Sequence, residues 1–337
     1  MTTQRKIFQQ QIQQVQLENF HLLALAIFQY QAKHNSLYRQ YLSLINVNPT
    51  TVTTLEAIPF LPISFFKTHD VRTIDSSPMT IASQRATIFS SSGTTGTTTS
   101  RHYVQDLAFY QSNTVLGFET FYGPIANYCI LGLLPSYLER SGSSLVAMVD
   151  HFIQLSKHSK SGFFLYDHAT LATVLKACQE AKQPTLLIGV SFALLDFATA
   201  YAMDLSGITI METGGMKGRR KEITRQELHA ILKTAFHVDA IHSEYGMTEL
   251  LSQGYSKGGG IFHPTPTMKV LTREITDPFS HQKNAKTGVL NIIDLANLDS
   301  CSFIATDDLG KVYADGSFEI LGRLDSSDVR GCNLMVL

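Results

Sequence analysis

Apolar positions along the chain follow two rhythms that alternate. From Leu17 to Ile45 they recur at helical spacing, first Phe20, Leu23, Ala24, Ile27 and Phe28, then Tyr38, Tyr41, Leu42 and Ile45 beyond a break at His34-Asn35-Ser36. That spacing predicts an N-terminal pair of helices. The stretch Ile58-Pro-Phe-Leu-Pro-Ile-Ser-Phe-Phe-Lys67 carries two prolines and predicts an extended crossing connection, because proline donates no N–H and holds its predecessor extended. Short apolar runs predict strands at Ala86 to Ser90, Tyr128 to Leu134, Thr185 to Val190, Ile208 to Glu212, Phe236 to His242 and Gly288 to Asp294. Helical spacing returns between them at Gln105 to Gly117, Ser143 to Gln154, His168 to Ala181, Ser191 to Met203 and Thr224 to Thr234, with Ser191 as the expected cap of its helix. Such alternation predicts an α/β fold with mainly parallel sheets. After Gly288 the pattern changes to short strands with turns expected at Asp307-Asp308, Ala314-Asp-Gly316 and Leu321-Gly322, a small C-terminal β subdomain. The expected organisation is a helical N-terminal region and connection over 1–85, an α/β core over 86–287, and the β subdomain with its tail over 288–337.

Composition narrows the class. The 337 residues are 44% hydrophobic and 16% charged, with 22 Gly and 10 Pro, which excludes disordered and collagenous chains. Lys and Arg number 27 against 28 Asp and Glu, so no global field draws the chain to nucleic acid or to an anionic membrane. Any polyanion must be held locally. Cys129, Cys178, Cys301 and Cys332 form no Cys-x-x-Cys pair and no Cys/His ligand spacing, which argues against zinc and disulfides and for reduced thiols in a cytoplasm. The start, Met1-Thr-Thr-Gln-Arg-Lys6, runs into a Gln-rich helix-like stretch without the apolar core of a signal peptide, so export is not expected. The longest apolar segment, Thr185 to Met203, contains Asp196 and is punctuated at Gly189-Val-Ser191; it is read as a buried strand and helix, with no stable membrane insertion.

Four segments carry candidate chemistry. Phe89-Ser-Ser-Ser-Gly-Thr-Thr-Gly-Thr-Thr-Thr-Ser100 follows a strand, and its small residues let backbone N–H groups wrap a phosphate chain. It lacks the Gly-Lys-Ser/Thr of a Walker A loop, and alone it reads equally as a surface loop. In His242-Ser-Glu-Tyr-Gly-Met-Thr-Glu249, Glu249 offers a Mg²⁺ ligand and Thr248 a phosphate contact; the plainer alternative is a solvated strand end. Thr306-Asp-Asp-Leu-Gly310 offers a carboxylate for vicinal ribose hydroxyls, or simply an Asp-rich turn. In Gly322-Arg-Leu-Asp-Ser-Ser-Asp-Val-Arg-Gly331, Arg323 adds a second ribose or phosphate contact.

Taken together and in this order, the four segments resemble the core motifs of the adenylate-forming superfamily of acyl-CoA synthetases, peptide-synthetase adenylation domains and luciferases. Among its branches the chain looks most like the acyl-protein synthetases (LuxE type) of bacterial luminescence operons, with phenylacetate-CoA ligases more distant. That closer resemblance includes Phe28-Gln-Tyr-Gln31 with Asn35 and Tyr38, Ile58-Pro-Phe-Leu-Pro62 with Phe66-Lys67, and Glu212-Thr-Gly-Gly215. The resemblance implies the large domain of an adenylate-forming enzyme that uses ATP and Mg²⁺ to activate a fatty or other carboxylic acid as acyl-AMP, with nucleotide and acid held by the 86–287 core. Ser91, Ser92, Gly93, Thr94, Thr95 and Gly96 would form the phosphate loop, and Gly214, Gly215, Tyr245 and Gly246 would frame the adenine. Thr248 and Glu249 would serve phosphate and metal, Asp308 and Arg323 the ribose, and Asp325 the hinge.

Departures from the pattern shape the expected mechanism. Thr97-Thr-Thr99 stand where the family usually places a lysine, so Arg101 is the first cation, and Ser326-Ser327 disturb the register after Asp325. Superfamily members usually continue into a lid domain with a catalytic lysine; here the lid is expected to be absent, leaving Arg101 or Lys217 to neutralise the α-phosphate. A protein thiol is then the expected acceptor. Cys332, beside Arg330, matches the acyl-carrying cysteine near the C-terminus of luminescence-type synthetases, and a neighbouring cation favours the thiolate. An acyl-reductase partner is implied by the same analogy. The alternatives are an aryl- or acyl-CoA ligase whose lid is missing or supplied by another chain, and a non-catalytic acyl- or nucleotide-binding protein. His151, His242 and His263 are read as structural, Lys217-Gly-Arg-Arg-Lys221 as a solvated turn, and the 20 Phe and 13 Tyr as suiting an acyl tunnel or a plain core equally.

Overall fold

The computed structural model describes residues 3–74, 86–91, 99–135, 142–214, 223–280, 282 and 285–324. The Gln-rich start forms α1 (Gln4–Gln13), so the predicted helix pair, α2 (Leu17–His34) and α3 (Ser36–Leu44), has a third member before it. Asn35 explains the break between α2 and α3. It ends the first helix, and its side chain accepts the Tyr38 amide at 2.9 Å to cap the second. Buried Phe28 and Tyr38 pack around Phe303 with ring centroids 5.8 and 6.3 Å from it. The Gln31 amide donates to the carbonyls of Asn297 and Leu298 at 2.9 and 3.0 Å, and Asn35 donates to that of Ser300 at 2.9 Å. The N-terminal helices are thereby fastened to a loop near the other end of the chain. The proline-bearing connection is extended as β1 (Leu61–Pro62) and then turns once as α4 (Phe65–Thr68).

A hairpin of β2 (Thr87–Ser90) and β3 (Arg101–Val104) stands apart from the main sheet. Among the described residues the main sheet has twelve strands. Its parallel half runs β5 (Gly162–Phe163), β4 (Cys129–Leu133), β6 (Thr185–Val190), β7 (Thr209–Thr213) and β8 (His242–Tyr245). From β8 the order continues antiparallel through β9 (Gly254–Ser256), β10 (Ile261–Pro264), β14 (Phe318–Arg323), β13 (Phe303–Val312), β12 (Gly288–Asp294) and β11 (Met268–Arg273), with β1 parallel to β13. β4 and β6 are buried along their whole length, which is why they read as unbroken apolar runs. The helices α5 (Leu107–Tyr122), α6 (Ser144–Ser156), α7 (His168–Glu180), α8 (Ser191–Ala200) and α9 (Arg225–Phe236) alternate with strands β3 to β8 in the chain.

The structure corrects four local expectations. Phe236 belongs to α9, where Leu228, Leu232 and Phe236 form the buried face, and His237 at φ 52° ends the helix, so β8 begins only at His242. Asp307-Asp308 is no turn: it lies inside the ten-residue strand β13, where Asp308 pairs with Arg323 of β14 and the Asp307 carbonyl accepts from the Leu324 amide, while the register with β12 is interrupted between Ala305 and Leu309. Leu321-Gly322 likewise lies within β14. Ser191 is the first helical residue of α8 rather than its cap, and its hydroxyl donates instead to the Gly214 carbonyl at 2.8 Å.

Candidate functional site

The site lies where β7 and β8 leave the sheet at neighbouring carboxyl ends, the position at which open α/β sheets bind ligands. β7 runs into Gly214, exposed and at φ 70°, a left-handed conformation that favours glycine. β8 runs into exposed Gly246, where a Cβ would fall 2.4 Å from the Glu244 Oε1 atom. Both strands therefore end in an exposed glycine, Gly214 for its left-handed backbone and Gly246 because the Glu244 carboxylate takes the place of a Cβ.

From this edge a path of polar contacts joins the candidate segments. The Tyr245 hydroxyl donates to Asp308 Oδ2 at 2.8 Å, and Arg323 Nε pairs with Oδ1 of the same carboxylate at 3.2 Å. Asp308 and Arg323 are direct cross-strand partners on β13 and β14. Burial and the adjacent Asp308 push the Tyr245 phenol well above its ordinary range, so it stays a donor. Beyond Gly246, the Thr248 carbonyl accepts from His102 Nδ1 at 2.8 Å. Burial lowers the His102 ring to about 4, which leaves it neutral with its proton on Nδ1. Burial raises the Glu249 carboxyl, opposed by a hydrogen bond from the Ser100 hydroxyl and by the charges of Arg323 and Lys67. Ser100 in turn ties the first segment: its amide donates to Ser91 Oγ at 2.9 Å, and the Ser91 amide donates to its carbonyl at 3.1 Å. Behind Glu249 the buried Asp294 accepts from the amides of Leu251 and Ser252 at 2.7 and 3.0 Å, which fixes the loop that carries the motif.

Ser91, Gly214, Tyr245, Gly246, Thr248, Glu249, Asp308 and Arg323 are thus brought to one region. Arg101 is turned elsewhere, exposed and paired with Asp70 at 3.5 Å. The cations that act on Glu249 are Arg323 and Lys67. Ser92, Gly93, Thr94, Thr95, Gly96, Gly215, Lys217, Asp325 and Cys332 lie outside the described residues. Cys129, Cys178 and Cys301 are buried, and His242 meets the Tyr122 hydroxyl at 3.0 Å. Sequence reasoning passed over Glu244, although it stands inside the Tyr-Gly motif. Its signal would have been a carboxylate on a strand of otherwise buried residues.

Among the described residues no group of three or more His, Cys, Asp or Glu could cage a metal. A single buried carboxylate such as Glu249 still fits Mg²⁺ that arrives on nucleotide phosphates, because that ion keeps several waters and takes one or two protein carboxylates. No described helix is long and apolar enough to cross a membrane.

The same arrangement of strands and helices recurs in solved structures. ATP-bound MatB from Rhodopseudomonas palustris superposes with a TM-score of 0.53 at 15% identity, over 74% of this chain and 50% of that one. A 2-hydroxyisobutyryl-CoA ligase in complex with 2-HIB-AMP and CoA gives 0.63 at 14% identity over 96% of this chain and 68% of that one. Its open conformation gives 0.62 at 12% identity, over 91% and 70%. The chain spans about half the length of the MatB chain it matches. Neither a protein-family model nor a curated protein matches the sequence. The likeness is one of fold: this chain shares its α/β arrangement with MatB and with the 2-hydroxyisobutyryl-CoA ligase.

Proposed function

We propose that the chain is an ATP-dependent ligase of the acyl-protein synthetase (LuxE) type, which activates a carboxylic acid, a fatty acid in the simplest case, as its adenylate. The observation that carries this reading is the contact path from Ser91 through Ser100 and Glu249, and from Tyr245 through Asp308 to Arg323, which gathers at one sheet edge four motifs far apart in sequence. Adenine would lie on the bare backbone at Gly214 and Gly246, its ribose hydroxyls on Asp308. The phosphates would pass Thr248 toward the 91–96 segment. Mg²⁺, held by Glu249 and the nucleotide, would neutralise phosphate charge. Lys67 takes the role of nearby cation expected of Arg101. An acid carboxylate oxygen bonds to the α-phosphorus and pyrophosphate leaves. A thiolate then attacks the acyl carbonyl, releasing AMP and leaving a thioester. Cys332 is the proposed thiol, a reductase the partner that would take the acyl group, and the cytoplasm the setting.

ATP–pyrophosphate exchange with a panel of acids tests the first step. Exchange in the parent, and its loss in folded Gly93→Val or Gly96→Val, is the expected result; a parent inert with every acid overturns the reading. Cys332→Ser should retain exchange and lose hydroxylamine-sensitive labelling by radioactive fatty acid. Labelling that persists places the acyl group on another residue, and thioester formation only with added coenzyme A identifies a CoA ligase.

A further inference from the structure

Beneath Gly246 one face of the sheet is polar where an acyl pocket would call for carbon. Register places Glu244 opposite Tyr255 and Tyr245 opposite Gly254, so Gly246 and Gln253 lie side by side with Glu244 and Tyr255 on a single face. The Thr265 amide donates to the Gln253 carbonyl at 3.0 Å, which adds Thr265 to the same patch. A Cβ on Gly246 would come within 3.8 Å of Gln253 Cγ, and one on Gly117 of α5 within 3.9 Å of Gln253 Oε1 and 2.7 Å of Thr265 Cγ2. Among the described residues Gln253 Oε1, the Tyr255 hydroxyl and Thr265 Oγ1 are buried without a hydrogen-bond partner. Glu244 beside them is bonded by the Thr213 hydroxyl.

A fold seldom leaves three adjacent polar groups buried and unsatisfied, because each has given up water for nothing. An amide oxygen can only accept, so what completes this patch must donate. Exposed Gly246 adjoins the patch at Gln253, on the loop that leads to Thr248 and Glu249.

Resting on the adenylating function proposed above, we infer that the activated acid carries a hydrogen-bond-donating substituent, a hydroxyl or an amine, which is read by Gln253, Tyr255 and Thr265 beneath Gly246. A plain alkyl chain there would leave all three groups unpaired, the situation in which sites built for a hydroxyl or amine discriminate most strongly.

The test is ATP–pyrophosphate exchange by the full chain with butanoate, hexanoate and octanoate against their 2-, 3- and terminal-hydroxy and -amino derivatives. At least one derivative should exceed its unsubstituted parent in kcat/KM by about 100-fold or more, a conservative figure for such sites. Gln253→Leu and Thr265→Val should bring that ratio to within about tenfold, as loss of one or two hydrogen bonds dictates. Separate hydroxy and amino arms identify the donor. Exchange that favours the unsubstituted acids throughout overturns the inference and leaves the ligase assignment standing. Exchange with no acid overturns both. If neither variant folds, the ratio in the parent decides.

Discussion

Two buried glutamates on adjacent parallel strands have opposite surroundings. Glu212 on β7 accepts from Arg225 Nε at 3.0 Å, lies 3.5 Å from His229 Nε2, and is within reach of Ser191. Despite burial, which by itself raises a carboxyl, His229, Arg225 and the Ser243 hydroxyl hold Glu212 below its ordinary range. Glu244 on β8 faces the other side of the sheet with the Thr213 hydroxyl as its bonded partner, and burial, aided by Glu212, raises it to about 7. The difference separates two uses of a buried carboxylate. Glu212 joins α9 to the sheet, and Arg225 extends that joint to the Ile320 carbonyl of β14 at 3.3 Å. Glu244 joins nothing comparable and sits beside the carboxyl end of β8 proposed to hold the nucleotide, where a perturbed carboxyl without a cation is a candidate for chemistry or recognition.

The contrast breaks most visibly at Arg225. Arg225→Ala should cost about 3 kcal/mol or more in urea unfolding, because it leaves Glu212 buried and largely uncompensated. Glu212→Gln in that background should recover part of the loss, and a cost below about 1 kcal/mol would show that the pair is no joint. The pH dependence of stability tests the other carboxylate. With Glu244 near 7 in the folded state against 4.5 ordinarily, the native protein keeps a proton that the unfolded chain releases. Its contribution is full below pH 4.5 and declines as pH rises to about 7, by about 3 kcal/mol. Glu244→Gln should remove this decline, and parallel curves for parent and variant between pH 4 and 8 would refute the assignment. Glu212 acts with opposite sign, its contribution present above the ordinary carboxyl range and lost as pH falls through its lowered value.

Asp308 stands between the two cases, paired by Tyr245 and by a largely exposed Arg323. Asp308→Asn should weaken ATP binding by about 1–3 kcal/mol in calorimetry, with a smaller change in folding stability. Binding unchanged would make the carboxylate structural, like Glu212. The smallest effect belongs to Ser191→Ala, which frees the Gly214 carbonyl next to the Glu212 cluster. It should cost about 1 kcal/mol or less in ATP affinity, and a larger loss of stability than of affinity would assign Ser191 to the joint instead.

Much of the architecture was legible along the chain. β4 and β6 announced themselves as unbroken apolar runs, and the helix break as His34-Asn35-Ser36 between two stretches of helical spacing, where the structure makes Asn35 the cap. The side chains of Glu249, Asp308 and Arg323 marked them as candidates, since chemistry needs particular groups, whereas Tyr245 was marked only by the resemblance. What misled was local preference: two consecutive aspartates read as a turn, yet pairing with β14 holds them in a strand, with Asp308 opposite Arg323. Chain order offered Arg101 and Lys217 as cations; the fold pairs Arg101 with Asp70 and brings Lys67, far from Glu249 in sequence, within range of it. The sequence by itself determined the elements, their order and the stock of reactive groups, because periodicity and side-chain type are local properties. Which face each carboxylate occupies, which cation neutralises it and which polar groups go without partners were decided only in the tertiary structure, because pairing, register and burial join residues that the chain keeps far apart.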